Sequence, residues 1–306
     1  NERNLEKRIA LAASLPDWLA KRFVADWGAE AEPLALALNQ RAPMTIRANT
    51  LVTSRDALAK ELASEKLDTH PGAWSDSALV VDSRTNLFAS AAFKRGAMEA
   101  QDEGSQLLAE LATPGKLIVD YCAGAGGKTL AIAARLANRG RIIATDIDDK
   151  KLEELRKRAR RAGVSNVQAV ALDNGGWPRE LDSVRGKADV VFVDAPCSGT
   201  GALRRNPEAR WRMREQDIES FQQKQVAIMQ QAIELAAPGA RIVYATCSLL
   251  NAENDEVARR LTGVDLVDLG TVLANRAELS REGAFTVTPH VHGTDGFYAR
   301  IMTRAR

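Results

Sequence analysis

The spacing of hydrophobic and polar positions divides the chain near residue 100. From about Leu15 to Ala100 a helical entry segment leads into an alternating, β-like "MTIRANT". A helix-spaced "SRDALAKELAS" follows, with Ser54 placed to cap its first turn, and then a second β-like run, "SALVVD". This predicts a small α+β domain over residues 1–100. Beyond it the rhythm is regular. "AMEAQDEGSQLLAEL" predicts a helix capped by Ser105, and then strands "KLIVDYC", "RIIATD", "NVQAVALD", "ADVVFVDAP" and "ARIVYATCS" alternate with amphipathic helices, the longest near Gln216 to Ala236. Short apolar runs between such helices predict an α/β fold over residues 101–306, a mostly parallel sheet with helices on both faces.

Composition adds bounds. With 306 residues, 45% hydrophobic and 27% charged, and no apolar run near the ~18 residues of a membrane span, the expectation is a cytoplasmic protein with no membrane association. The first residue is not methionine, which suggests a trimmed chain. Three widely spaced cysteines, Cys122, Cys197 and Cys247, with no CxxC, suit a reducing compartment, and no metal site is expected. Lys plus Arg at 42 against Asp plus Glu at 40 leaves a net charge of only +2, so any surface for nucleic acid must be local.

In a mostly parallel sheet, ligands sit at the carboxyl ends of the strands. "DYCAGAGGKT" ends a strand and opens a helix there. A triphosphate-binding loop would need glycine five positions before Gly127, where Cys122 stands, and a dinucleotide fingerprint from Gly124 and Gly126 finds Thr129 at its third glycine. What remains is a loop for an adenosine cofactor, either S-adenosylmethionine or a dinucleotide. Its expected contacts are Cys122, Ala123, Gly124, Ala125, Gly126, Gly127 and Lys128, with Asp146 at the next strand end for ribose hydroxyls and Asp173 near an adenine.

Two further strand ends carry chemistry. "DAPCSGTG" places Asp194 beside Cys197, and "ATCS" places Cys247 at the end of the following strand. Either cysteine alone reads as a small buried hydrophobe. Both beside a cofactor loop point to nucleophilic catalysis, although residue order does not say which thiol attacks.

Together with "RAPMTIRAN", "QDEGSQL", "AEND" and "HGTDGFYARI", these motifs resemble, over nearly the whole chain, the Sun/Fmu family of RNA (cytosine-5) methyltransferases, and its bacterial ribosomal-RNA branch most closely. The first motif departs from the family's Cys-Ala-Ala-Pro-Gly-Gly-Lys in its Gly124 and Ala125. The resemblance implies a Rossmann-like class I methyltransferase sheet, S-adenosylmethionine as cofactor, and a monomer. It also implies that the helical RNA-binding domain many members carry ahead of the small domain is absent or was trimmed. By the same resemblance Cys247 attacks carbon 6 of cytosine, Cys197 assists proton removal or release, Asp194 hydrogen-bonds the base edge as well as lying at the cofactor, and Lys128 orients Asp194 or favours a thiolate.

"LRRNPEARWRMR" gathers Arg204, Arg205, Arg210 and Arg212 around Trp211, the pattern of phosphate contacts with a stacking ring for single-stranded RNA. Arg47, on a strand of the small domain, is a further candidate for RNA. "KKLEELRKRARR" reads instead as an exposed helix face, with Glu153 and Lys157 spaced to pair. The alternatives are the same chemistry on transfer RNA, a non-catalytic RNA-binding assembly factor, and an amino-group methyltransferase. Paired thiols argue against the assembly factor, and Asp-Ala-Pro-Cys in place of Asn/Asp-Pro-Pro-aromatic argues against the amino-group enzyme.

Overall fold

The computed structural model describes residues 4–82, 86–172, 177–272 and 276–306. The small domain is a four-stranded antiparallel sheet of β1 (Met44–Ala48), β2 (Thr69–Pro71), β3 (Ala78–Val81) and β4 (Met98–Ala100), in the order β2-β3-β1-β4. The helix Arg55–Ser64 covers it, and Ser54 accepts the Ala57 amide as expected of a cap. Leu58 and Leu62 of that helix bury against Ile46, Leu79 and Met98.

The large domain is built on β5 (Leu117–Asp120), β6 (Arg141–Asp146), β7 (Val167–Ala171), β8 (Ala188–Asp194) and β9 (Ala236–Thr246). These five are parallel, in the order β9-β8-β5-β6-β7. The sheet continues past β9 through antiparallel β13 (Phe297–Arg304), β12 (Ala284–Val287) and β11 (Ser280–Arg281), and β10 (Val264–Val267) also pairs β13. Alternation divides the central strands between two cores. Val119, Val191, Val193, Ile242 and Tyr244 pack on one face with Met229 and Ile233 of the helix Glu215–Ile233. Ile118, Val190, Phe192, Val243 and Ala245 pack on the other with the helices Glu103–Leu111 and Gly127–Arg135. Burial on both faces is why these strands read as unbroken apolar runs.

Three details differ from the sequence reading. Asp102, not Ser105, caps the helix Glu103–Leu111: it accepts the Gly104 amide at 2.8 Å, while Ser105 lies buried inside the first turn. The helices Leu5–Ala13, Asp17–Trp27 and Ala31–Ala37 do not join the small sheet. They share a core with Leu203, Ile218, Leu249 and Leu250 of the large domain, and Trp27 Nε1 donates to the Leu249 carbonyl at 2.9 Å. In the helix Asp149–Arg161, Glu153 pairs with Arg156 and Arg160. Arg158 and Arg161 turn inward to the buried Glu99 of β4, and Arg158 also donates to the Ala125 carbonyl at 2.8 Å, bracing the candidate cofactor loop against the small domain.

Candidate active site

Strand order reverses at β5, which lies between β6 and β8, and the loops after β5, β6, β8 and β9 therefore open into one crevice. β8 pairs β9 with Asp194 opposite Ala245, so the two thiols, three and two residues further on, come together although 50 positions separate them. Their sulfurs lie 3.2 Å apart. Gly201 fixes this meeting. Its amide donates to the Cys247 carbonyl at 2.9 Å, and a Cβ there would sit 2.1 Å from the Gly296 carbonyl oxygen, so nothing larger fits.

Lys128, in the first turn of its helix, reaches Asp194 at 2.5 Å, a pair largely withdrawn from solvent. Burial lowers the lysine's pKa, but the charge and hydrogen bond of Asp194 outweigh it and the net shift is upward, so Lys128 stays cationic. The Cys197 thiol is pushed well up by its hydrogen bond with Cys247, by burial and by the charges of Cys247, Glu253 and Asp194. It is held as the thiol, and its sulfur shares a hydrogen bond with that of Cys247. Cys122 is also pushed up, by burial and then by Asp120, Asp146 and Asp194, and it packs against the sheet core, which removes it as a nucleophile.

The loop after β5 fits a zwitterionic adenosine cofactor. Gly124 and Gly126 both take positive φ, and a Cβ on Gly126 would lie 2.6 Å from Leu155 Cγ. Built onto Gly124 or Gly127, a Cβ meets nothing within 4 Å among the described residues, which also supply no side-chain cap to the first turn of the helix Gly127–Arg135. Uncapped amides at a helix start suit a carboxylate. An ammonium could be met by Asp120, whose Oδ2 accepts from Thr129 at 2.6 Å while its buried Oδ1 has no partner among the described residues. Burial, with help from the charges of Asp194 and Asp146, raises the Asp120 pKa to about 7 despite the Thr129 hydrogen bond. Asp146 accepts the amides of Gly124 and Asp148, each at 2.9 Å, which holds its carboxylate at the end of β6, where it could accept from ribose hydroxyls. Asp173 lies outside the described residues.

Two contributors were not singled out in the sequence. Asp120 sits inside the quoted loop motif, but its burial is visible only in three dimensions. Ile147 follows Asp146 directly and is 76% exposed, an apolar side chain uncovered at the lip of the crevice.

The arginine cluster is corrected by its partners. Arg210 is buried: it donates to the Ala13 carbonyl at 2.8 Å and Asn39 Oδ1 at 2.6 Å, with longer contacts to the Ser14 and Leu38 carbonyls. A guanidinium there serves two helix ends, sharing the Ala13 carbonyl with Asn39 Nδ2, which donates to it at 2.9 Å. Arg204 is spent on Asp295 and the Gly293 carbonyl, and Arg205 bridges Asp295 and Asp102. Arg47 is buried against Gln101 at 2.7 Å, and burial lowers its pKa to about 10. Arg47, Arg204 and Arg210 are therefore committed to the fold, each buried against acceptors of the protein, and Arg205, its side chain 36% exposed, is held by two carboxylates. Arg212 and Trp211 remain outward, with the Arg212 side chain 76% and Trp211 62% exposed. Arg210→Ala is accordingly expected to destabilise the protein by roughly 3 kcal/mol in denaturant unfolding, while RNA affinity per folded molecule is unchanged.

Residues 108–303 match the family described as "16S rRNA methyltransferase RsmB/F", and residues 15–87 match the "Methyltr_RsmF/B-like, ferredoxin-like domain". The ribosomal RNA small subunit methyltransferase B of Shewanella oneidensis is 30% identical over 316 residues, covering 98% of this chain and 71% of that protein. The probable enzyme of the same name from Bacillus subtilis is 28% identical over 308 residues, covering 97% and 68%. A methyltransferase homologue from Pyrococcus horikoshii superposes with a TM-score of 0.80 at 28% identity, covering 98% of both chains. The chain thus belongs to the RsmB/F family of 16S rRNA methyltransferases, S-adenosylmethionine-dependent enzymes that methylate carbon 5 of cytosine.

Proposed function

We propose that the chain methylates a cytosine of small-subunit ribosomal RNA in the cytoplasm, as a monomer, with Cys247 as nucleophile and Cys197 serving release. The observation that carries this reading is the pair of sulfurs 3.2 Å apart beside the Lys128–Asp194 ion pair. Carbon 5 of cytosine is a weak nucleophile, and adding the Cys247 thiolate at carbon 6 makes it enamine-like. The bound cofactor supplies an electrophilic methyl group. Asp194 hydrogen-bonds the N3 and amino edge, and Lys128 holds that carboxylate in place. Cys197, kept protonated, is the S–H donor that supports Cys247 first as an attacking and later as a departing thiolate: the carbon-5 proton passes to water, its electron pair re-forms the 5,6 double bond, and the bond from carbon 6 to Cys247 breaks. The small domain and the outward Trp211 and Arg212 hold the RNA around a base turned out of its stack.

Labelled methyl transfer to unmodified ribosomal and transfer RNA, followed by nucleoside analysis, tests this. 5-Methylcytidine in small-subunit rRNA is the expected product, whereas a methylated amino nitrogen or a preference for transfer RNA would overturn the reading. Trp211→Ala is expected to weaken RNA binding about tenfold through a lost stack. Arg212→Ala should weaken it less and reduce the slope of log affinity against log salt by roughly 0.7, as for one phosphate contact on a single strand. Binding titrations at several salt concentrations check both.

A further inference from the structure

Each active-site cysteine is followed by a serine, Ser198 after Cys197 and Ser248 after Cys247. Both serines reach one carboxylate. Glu253, fully buried, accepts the Ser198 amide on Oε1 at 2.8 Å, and on Oε2 it accepts the Ser198 hydroxyl and the Ser248 hydroxyl, the latter at 2.6 Å. Gln225 Nε2 donates to the same Oε1 at 3.1 Å and to the Pro196 carbonyl at 3.0 Å. A single acid thereby ties together the two turns that carry the thiols. An ionised carboxylate accepts only, with about four lone-pair sites, and four donors converge on this one. Charge-assisted hydrogen bonds of this kind offset the cost of burying the charge.

We propose that Glu253 is a positioning residue that sets the spacing of the Cys197 and Cys247 sulfurs, and that catalysis needs this clamp rather than the carboxylate's charge. The proposal rests on the thiol roles given above. Glutamine can fill the same place: its oxygen keeps the Ser198 amide and Gln225, and its amide group donates to two hydroxyls that reverse direction. Alanine leaves both turns unhooked.

The test reads spacing and chemistry separately in the full chain. Dibromobimane fluoresces only once both of its arms have alkylated thiols, so in a Cys122→Ala background it reports whether Cys197 and Cys247 lie close together. Glu253→Gln is expected to keep double alkylation and to lose no more than about tenfold in single-turnover methyl transfer. Glu253→Ala is expected to be alkylated singly and to lose about 100-fold or more. Equal loss in Glu253→Gln and Glu253→Ala, or double alkylation with the parental rate in Glu253→Ala, would overturn the proposal. Should Glu253→Ala not fold, the serines decide. Ser198→Ala should accumulate the RNA adduct and Ser248→Ala should slow its formation, and parental behaviour in both would count against the clamp. If Cys247→Ala kept methyl transfer, the assignment of the thiols would fall, yet the bimane readout would still report on Glu253.

Discussion

Cys247→Ala is expected to form no 5-methylcytidine, whereas Cys197→Ala is expected to methylate once and then stall as a protein–RNA adduct that survives denaturation. The asymmetry follows from the roles proposed for the two thiols. Cys197 and Cys247 share a hydrogen bond across 3.2 Å, and that bond, burial and the surrounding negative charges push the Cys197 pKa well up. A thiol held protonated is a poor nucleophile and keeps a proton to give. Without Cys247 no covalent bond to carbon 6 forms, and carbon 5 is never activated. Without Cys197 the attack still proceeds, but the departing Cys247 thiolate loses its donor, so release slows by roughly 10²–10⁴-fold, the usual range for a lost acid–base group. Single-turnover incubation with labelled cofactor and unmodified rRNA, resolved on a denaturing gel and by nucleoside analysis, separates the two variants. Adduct in Cys247→Ala, or multiple turnover in Cys197→Ala, would reverse or dissolve the assignment.

Why the crevice was readable and the RNA face was not follows from the range of the forces involved. β5 to β9 are buried on both sides, so each declares itself locally as an apolar run, and glycines, acids and thiols at their ends mark the crevice. The Lys128–Asp194 pair falls in the same class, since both residues flank strand ends. The arginines do not, because the partners of Arg210 lie 171 to 197 residues away and the carboxylates that hold Arg205 lie 90 and 103 away. A local cluster of charge looks the same whether it faces phosphate or folds back on carbonyls. The antiparallel strands β10 to β13 were missed too: β10, β11 and β12 are only two to four residues long, and β13, though mostly buried, takes its place by pairing the distant β9, Tyr298 opposite Thr246. Glu253 stood in a motif quoted without a role. The repeated Cys-Ser pair was its available signal, since a hydroxyl beside each thiol implies a shared acceptor.

Asp120→Asn is expected to stabilise the protein and impair its cofactor binding. The Asp120 carboxyl is 1% exposed, and burial with the charges of Asp194 and Asp146 carries its pKa from 3.8 to about 7. Between those values the folded chain holds a proton that the unfolded chain has released. Stability from this group is therefore complete below pH 3.8 and is lost as pH rises toward and through 7. At pH 8 the ionised, half-satisfied carboxylate costs the fold roughly 4 kcal/mol. Asparagine keeps an acceptor for Thr129 and removes the charge, so the melting midpoint should rise by several degrees at pH 8 and change little at pH 4. The same unpartnered Oδ1 is what a cofactor ammonium would satisfy, so the variant should bind S-adenosylmethionine about 10–100-fold more weakly by calorimetry, the worth of one charge-assisted hydrogen bond. Lost stability at pH 8 would mean that the carboxyl is paired after all, and undiminished affinity would place the ammonium elsewhere. If both effects appear, the strain at the end of β5 is relieved by cofactor binding. The parent's melting midpoint should then rise more on cofactor addition at pH 8 than the variant's does, because only the parent has a buried charge to satisfy.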